Sequence, residues 1–323
     1  MPRDPRGRTG KAPRRTRTAP SGAPSSEVVE VRTDDGWSLR ADVDEPAGEP
    51  AGVAVLAHAM MARRSEFDRP EGAGVRRRLV ARGWRVVSFD FRGHGDSGPR
   101  ASEGGRYTYD DLVTRDLPAI HAFARSWDRK KRRVILVGHS LGGHVGLAAQ
   151  GTGRVAFDAI VAVAANLWMP QFERSGPRRA LRRLLLSAID ATARRVGRFP
   201  ARALRMGSDD EARAYFEDLG RFARTGRWSS ADGAVDYLAS LARVTVPVLQ
   251  LVSDGDRMAC RPEGGALFLQ RCGGPQQLLR VTRADDGGPA PGHMGLVTSG
   301  RIGRAWDGVE AWMRDPALAL GAF

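Results

Sequence analysis

The chain has 323 residues, 41% of them hydrophobic and 27% charged, and a formal charge of +14. That length suits one larger α/β-type domain, or two small ones, and is ample for a buried core. No run approaches the ~18 apolar residues that a membrane span needs, which argues against an integral membrane protein. The two cysteines exclude a disulfide scaffold and lie in no zinc-ligand spacing, so the simplest setting is a reducing cytoplasm.

The charge is uneven. Residues 1–26 hold seven basic residues against one acid, a net +6, together with five prolines and almost nothing apolar. Such a segment buries too little apolar surface to offset its ordering entropy, so a disordered basic tail is predicted there. No apolar stretch follows Arg14-Arg15, which excludes a twin-arginine export signal. The tail is suited to weak contact with anionic surfaces, but no reader motif accompanies it and no dedicated nucleic-acid partner is expected.

Beyond the tail, strand-like and helix-like stretches alternate. Residues 28–31 and 38–43 flank Asp34-Asp35-Gly36 and predict a hairpin. Short apolar runs at 53–57, 86–89, 134–137, 159–163 and 246–252 have the length of buried strands. Helix-compatible stretches at 73–81, 111–123 and 141–150 lie between them. Continuous β-rich runs separated by helices predict an α/β fold with a mostly parallel sheet covered on both faces.

The run 134–137 leads into Gly138-His139-Ser140-Leu141-Gly142-Gly143 and then a helical stretch. A strand, a Gly-x-Ser-x-Gly turn and a helix form a nucleophile elbow, in which glycines leave room where side chains would collide. Ser140 is the candidate nucleophile, and the Leu141 N–H, at the helix start, is a candidate oxyanion donor. A serine needs a base. Of the six histidines only His293 lies beyond the elbow region, and the elbow architecture orders its residues serine, acid, histidine. Two carboxylates compete for the acid, Asp254 and Asp256, just after the run 246–252. Asp256 is preferred because it lies past the turn, while Asp254 is placed to cap it.

With these motifs in order, the chain resembles the α/β-hydrolase superfamily over roughly residues 28–315. The stretch Asp90-Phe91-Arg92-Gly93-His94-Gly95-Asp96-Ser97 matches the Asp-x-Arg-Gly-x-Gly-x-Ser segment of such enzymes. Ser253-Asp254-Gly255-Asp256 and Gly292-His293 correspond to the acid and histidine loops, with serine in place of the usual first glycine. The resemblance implies Asp256 as the acid and a serine hydrolase related to lysophospholipases, monoacylglycerol lipases and prolyl aminopeptidases. It also implies that the Met60 N–H, in His58-Ala59-Met60-Met61, is the second oxyanion donor, although Ala59 stands where relatives carry glycine. In this reading His58, Arg92 and His94 are structural.

Residues 166–232 look like an insertion between core strands, dividing the core into 27–165 and 233–323; in the resembled superfamily such an insertion is a helical cap. Leu181, Leu184, Leu185, Ala188, Ile189 and Val196 follow helical spacing and predict one apolar face, in a segment crowded with arginines. Trp168 and Met169 are candidate acyl-pocket residues, and Met61 and His139 are further candidate substrate contacts. No metal or cofactor is expected, since His139 and His144 lack a third ligand, and Cys260 and Cys272 are read as packing residues. The expected reaction is hydrolysis of a carboxylic ester or related acyl bond on a small-molecule substrate. An acyltransferase with the same triad and a non-catalytic binding protein of the same fold are the alternatives.

Overall fold

The computed structural model describes residues 25–128 and 130–321. The basic segment 1–26 lies outside these residues except for Ser25 and Ser26, which open the first strand. That strand, β1 (Ser25–Arg32), pairs antiparallel with β2 (Ser38–Glu45), matching the predicted hairpin. Gly36 sits in its turn at φ +84°, where glycine carries no Cβ penalty.

The chain continues through β3 (Gly52–Ala57), a 3-10 turn (Arg64–Asp68), α1 (Val75–Ala81) and β4 (Trp84–Phe89). Helix α2 (Tyr109–Asp111) passes through a π turn (Leu112–Asp116) into α3 (Leu117–Trp127). The predicted helix 111–123 is thus longer at both ends. Thr108 caps its start, and the Leu117 N–H bonds the Leu112 carbonyl, widening the turn just before Pro118, which has no N–H to donate. Then follow β5 (Val134–His139), α4 (Leu141–Gly151) and β6 (Ala159–Val163).

Residues 164–247 leave the sheet and carry α5 (Gly176–Val196), the short paired strands β7 (Arg198–Phe199) and β8 (Glu211–Ala212), α6 (Arg213–Thr225) and α7 (Tyr237–Ser240). The chain returns in β9 (Val248–Ser253), α8 (Pro262–Leu269), β10 (Gln276–Val281), α9 (Gly295–Thr298) and α10 (Gly303–Arg314). Among the described residues no helix is long and apolar enough to cross a membrane.

Eight strands form one sheet in the order β1-β2-β4-β3-β5-β6-β9-β10, parallel from β4 onward. Its central strands alternate between two cores. Val53, Val55, Leu136 and Ile160 face the side of α3 and α4, while Ala54, Leu56, Ile135 and Val161 face α1 and α10. Burial on both faces is why these strands read as unbroken apolar runs. After β3 the chain first builds β4 on one side and then β5 on the other. The carboxyl ends of β3 and β5 therefore meet at a topological switch point, the usual crevice of such sheets.

One expectation fails in α5. The predicted apolar face does not pack as a unit, for Leu181, Leu184 and Val196 are exposed. The helix instead turns Arg182 and Ala193 inward. Arg182 is held there by Nη2 donating to the Met258 carbonyl at 2.8 Å, an ion pair with Glu173 at 3.5 Å and its guanidinium over the Trp168 ring. Arg182 thus shares the inward face with Leu186, Ile189 and Ala193.

Leu136 is fully buried, whereas Leu184 is 68% exposed. Leu136→Ala is expected to lower the unfolding free energy by about 2–5 kcal/mol, and Leu184→Ala to change it by less than about 0.5 kcal/mol, as read by urea titration.

Candidate active site

Strand β5 ends at His139 and α4 starts at Leu141, so the whole reversal falls on Ser140, at φ 50° and ψ −105°. A non-glycine residue at positive φ is strained by about 1–3 kcal/mol and persists only where its surroundings over-determine it. Here the Ser140 N–H donates to the Val163 carbonyl at 2.8 Å, and the Gly142 N–H to the His58 carbonyl at 3.1 Å. A Cβ on Gly138 would stand 2.4 Å from Gly142, and one on Gly142 would stand 2.1 Å from the Ala57 carbonyl oxygen. The turn therefore requires backbone on backbone.

Asp256 lies just past β9, with its N–H on the Ser253 carbonyl. Its carboxylate accepts from the Ala259 N–H at 2.9 Å, from the Cys260 N–H at 3.0 Å and from His293 Nδ1 at 2.5 Å. Burial works to raise the Asp256 pKa, but the hydrogen bond and charge of His293, with the two backbone donors, outweigh it and hold the carboxyl below its ordinary value. Asp254 points elsewhere and pairs with Arg280 at 2.6 Å. Of the two competing carboxylates, Asp256 is the one brought to the histidine. Ser253 Oγ joins the acid and histidine loops by donating to the Pro291 carbonyl at 2.6 Å.

Ser140 and His293 line one cavity of about 310 Å³. Met60, Met61, Trp168 and Met169 also line it, and α5 and α6 close it with Leu186, Ile189, Phe216 and Phe222. His139 does not line it. Its ring is fully buried 5.0 Å from that of His293, and its Nδ1 is engaged with Glu66 Oε1 at 3.0 Å, so the expected substrate contact is corrected to an internal prop. Glu66 also accepts from the Ala59 N–H at 3.0 Å. Nothing in the sequence marks Glu66, because both partnerships are tertiary.

The loop after β3 is held residue by residue. His58 Nε2 accepts from the Phe91 N–H at 3.0 Å, which leaves Nδ1–H to donate to the Ala59 carbonyl at 2.7 Å. Burial drives its pKa down to about 4, so the ring is neutral and structural. Met61 has φ 59°, and its N–H donates to Glu211 Oε1 at 2.6 Å. The Met60 and Leu141 N–H groups find no acceptor among the described residues. Glu211, from β8, also accepts from the Tyr107 hydroxyl at 2.6 Å and from His94 Nε2 at 3.1 Å. His94 Nδ1 faces the Arg92 carbonyl at 3.0 Å, so both ring nitrogens meet acceptors, as an imidazolium requires. Burial alone would lower the His94 pKa, but Glu211 and Asp209 overcome it and raise it to about 9.

His144, which sequence reasoning considered only as a metal ligand, lines the cavity; its Nδ1 bonds the Tyr109 hydroxyl at 2.9 Å, and burial lowers its pKa to about 3. Arg92 is buried, with its Nε donating to Asp116 at 2.7 Å and its Nη1 to Asp35 at 2.9 Å. Cys260 and Cys272 are buried free thiols, and burial raises the Cys272 pKa to about 12. Among the described residues no group of three His, Cys, Asp or Glu is disposed to hold a metal ion.

Residues 54–301 match the family model described as the alpha/beta hydrolase family. Solved structures of similar fold include the esterase domain of a Rhodothermus marinus protein (20% identity, 90% of this chain and 98% of that one, TM-score 0.55). The Pyrococcus furiosus esterase Pf2001 is another (16% identity, 91% and 93%, TM-score 0.57). A third is a monoacylglycerol lipase of Paleococcus ferrophilus (16% identity, 83% and 96%, TM-score 0.55). Comparison with curated proteins gives no match.

Two predictions follow from this geometry. Gly142→Ala forces the carboxyl end of β3 away from α4 and is expected to lower stability by about 1–3 kcal/mol in a urea titration. His94 has a folded-state pKa above its ordinary 6.5, so its stabilising contribution is complete below that value and lost as pH rises through about 9. Wild type should therefore lose more unfolding free energy between pH 7 and 10 than His94→Gln, measured by urea titration at each pH.

Proposed function

Because the chain belongs to the alpha/beta hydrolase family, we propose that it is a serine hydrolase that cleaves a carboxylic ester through an acyl-enzyme on Ser140. The observation that carries this reading is the 2.5 Å contact of Asp256 with His293 Nδ1, in a histidine that shares its cavity with the strained Ser140. With Nδ1–H given to Asp256, the other ring nitrogen, Nε2, is free to act as the base.

Ser140 Oγ attacks the ester carbonyl carbon as its proton passes to His293 Nε2. Asp256 stays ionised, keeps the ring in the Nδ1–H tautomer and stabilises the imidazolium. The carbonyl oxygen becomes an oxyanion and takes hydrogen bonds from the Met60 and Leu141 N–H groups, both without an acceptor among the described residues. The tetrahedral intermediate collapses, the alkoxide leaves with the proton from His293, and water attacks the acyl-serine by the same steps in reverse order of roles. The wall of Met60, Leu186, Ile189 and Phe216 suits an apolar acyl or alcohol group of modest size. We assign residues 166–232 as a cap over this site, since α5 and α6 supply Leu186, Ile189 and Phe216 of that wall. The esterases and the lipase among proteins of similar fold agree with an ester as the bond broken.

A fluorophosphonate probe is expected to label wild type, and Ser140→Ala and His293→Ala to abolish both labelling and turnover of short-chain nitrophenyl esters. Asp256→Asn should retain the fold and lower kcat by about 10³–10⁴-fold, because the imidazole tautomer is no longer fixed. Persistent labelling of Ser140→Ala would overturn the assignment.

A further inference from the structure

Glu211 plays no part in the chemical steps above, yet it is fully buried at the edge of the site and belongs to the segment inserted between β6 and β9. Three donors converge on its carboxylate: the Met61 N–H at 2.6 Å, the Tyr107 hydroxyl at 2.6 Å and His94 Nε2 at 3.1 Å. The same segment also takes the other end of Met61, whose carbonyl accepts from the Ser208 N–H at 2.7 Å and the Asp209 N–H at 3.3 Å. Met61 is thus clamped at both its polar backbone groups, at φ 59°, a conformation that a non-glycine residue holds only under constraint.

On the other side of the loop, Glu66 fixes the Ala59 N–H. One carboxylate pins the peptide entering Ala59, and the other pins the peptide entering Met61. The Met60 N–H belongs to the peptide between them, whose own carbonyl, that of Ala59, accepts from His58 Nδ1 at 2.7 Å and from the Ala62 N–H at 3.2 Å; the two carboxylates hold the peptides on either side and so complete its orientation. An anion so close to a developing oxyanion would oppose it, but the imidazolium of His94 lies directly against Glu211 and neutralises the pair. A charged acceptor is also suited to the task, since hydrogen bonds to an ionised group are shorter and roughly twice as strong as neutral ones.

We propose that Glu211 is a positioning residue of the oxyanion hole: a carboxylate of the cap that, through Met61, aims the Met60 N–H at the substrate carbonyl. The cap is therefore not a cover laid over a finished site. Residues 208–211 complete the hole, and the cap stays attached to the core at this end. The inference rests on the ester-hydrolase reading above.

The test uses the full chain and nitrophenyl butyrate, with active serines counted by fluorophosphonate titration so that misfolded protein is excluded from the rate. Glu211→Ala is expected to lower kcat per titrated serine about 10–100-fold, with KM within about threefold of wild type, because aim in the transition state is lost and ground-state binding is not. Glu211→Gln retains an acceptor oxygen for the Met61 N–H and should recover part of that loss. If Glu211→Ala does not fold, the isosteric Glu211→Gln carries the test alone, with an expected loss of at least threefold in kcat at unchanged KM. An unchanged kcat per titrated serine in a folded variant overturns the proposal. So does a loss confined to the number of titratable serines, which would make Glu211 structural only. If wild type shows no labelling at Ser140, the ester-hydrolase reading fails first and this inference falls with it.

Discussion

The constraint on which the structure depends is the close approach of three backbones around Ser140. Strand β5 must end, helix α4 must begin, and the loop after β3 must run alongside, all within distances that no side chain permits. Gly142 lies against the Ala57 carbonyl of β3, the Ser140 N–H is bonded to the end of β6, and the Gly142 N–H is bonded to the carbonyl of His58. A strained serine is tolerated because the parallel strands on either side are buried on both faces and cannot yield. The strain, about 1–3 kcal/mol, is small against a core of this size and local enough to leave the sheet regular. Once the strands are so placed, the loop after β3 and the serine necessarily share the crevice where strand order reverses.

A second pattern runs through the loops at that end of the sheet. Most are held by a buried carboxylate that accepts backbone N–H groups rather than by backbone-to-backbone bonds alone. Glu66 holds Ala59, Glu211 holds Met61, Asp90 holds Arg64 and Asp96, Asp116 holds Arg92, Asp209 holds Gly95, and Asp256 holds Ala259 and Cys260. Several of these carboxylates also meet a cation, as Asp90 meets Arg64 and Asp116 meets Arg92. Burying such pairs contributes little net stability, because desolvation opposes the attraction. Their effect is geometric. Irregular backbone lacks the repeating ladder that fixes a strand, and a buried acceptor with two oxygens supplies the missing fixed points.

This division explains what could be read from the sequence. Strands buried on both faces announce themselves as apolar runs, and the elbow, the acid loop and the histidine loop are local patterns whose order carries information. Asp256 could be preferred over Asp254 because the turn geometry is local. Glu66 and Glu211 could not be found that way: Glu211 lies 150 residues along the chain from Met61, and nothing near it in sequence records the partnership. His139 was misread for the same reason, since its place in the elbow suggested the cavity while its tertiary partner Glu66 turned it inward. The face of α5 departs from the predicted one because its inward side is Arg182, Leu186, Ile189 and Ala193, with Arg182 held by three tertiary contacts that hydrophobic spacing does not record. Helix α10, with Trp306, Val309 and Trp312 buried against the sheet, went unanticipated although its spacing is amphipathic.

The histidines around the cavity complete the argument about electrostatics. His293 lies in the field of its neighbours, and a neighbour that changed charge in the working pH range would change that field. Burial lowers His58 to about 4 and His144 to about 3, so both rings stay neutral as pH passes through 5 to 8. His94 is raised to about 9 by Glu211 and stays charged over the same range, with its charge matched by that carboxylate. Three rings that would otherwise titrate near neutrality are thus locked, two by desolvation and one by an ion pair. None of the three therefore changes charge near pH 7. The carboxylate that locks His94 is also the one that accepts from the Met61 N–H, so a single buried residue of the inserted segment both ties the loop after β3 and balances the charge beside it.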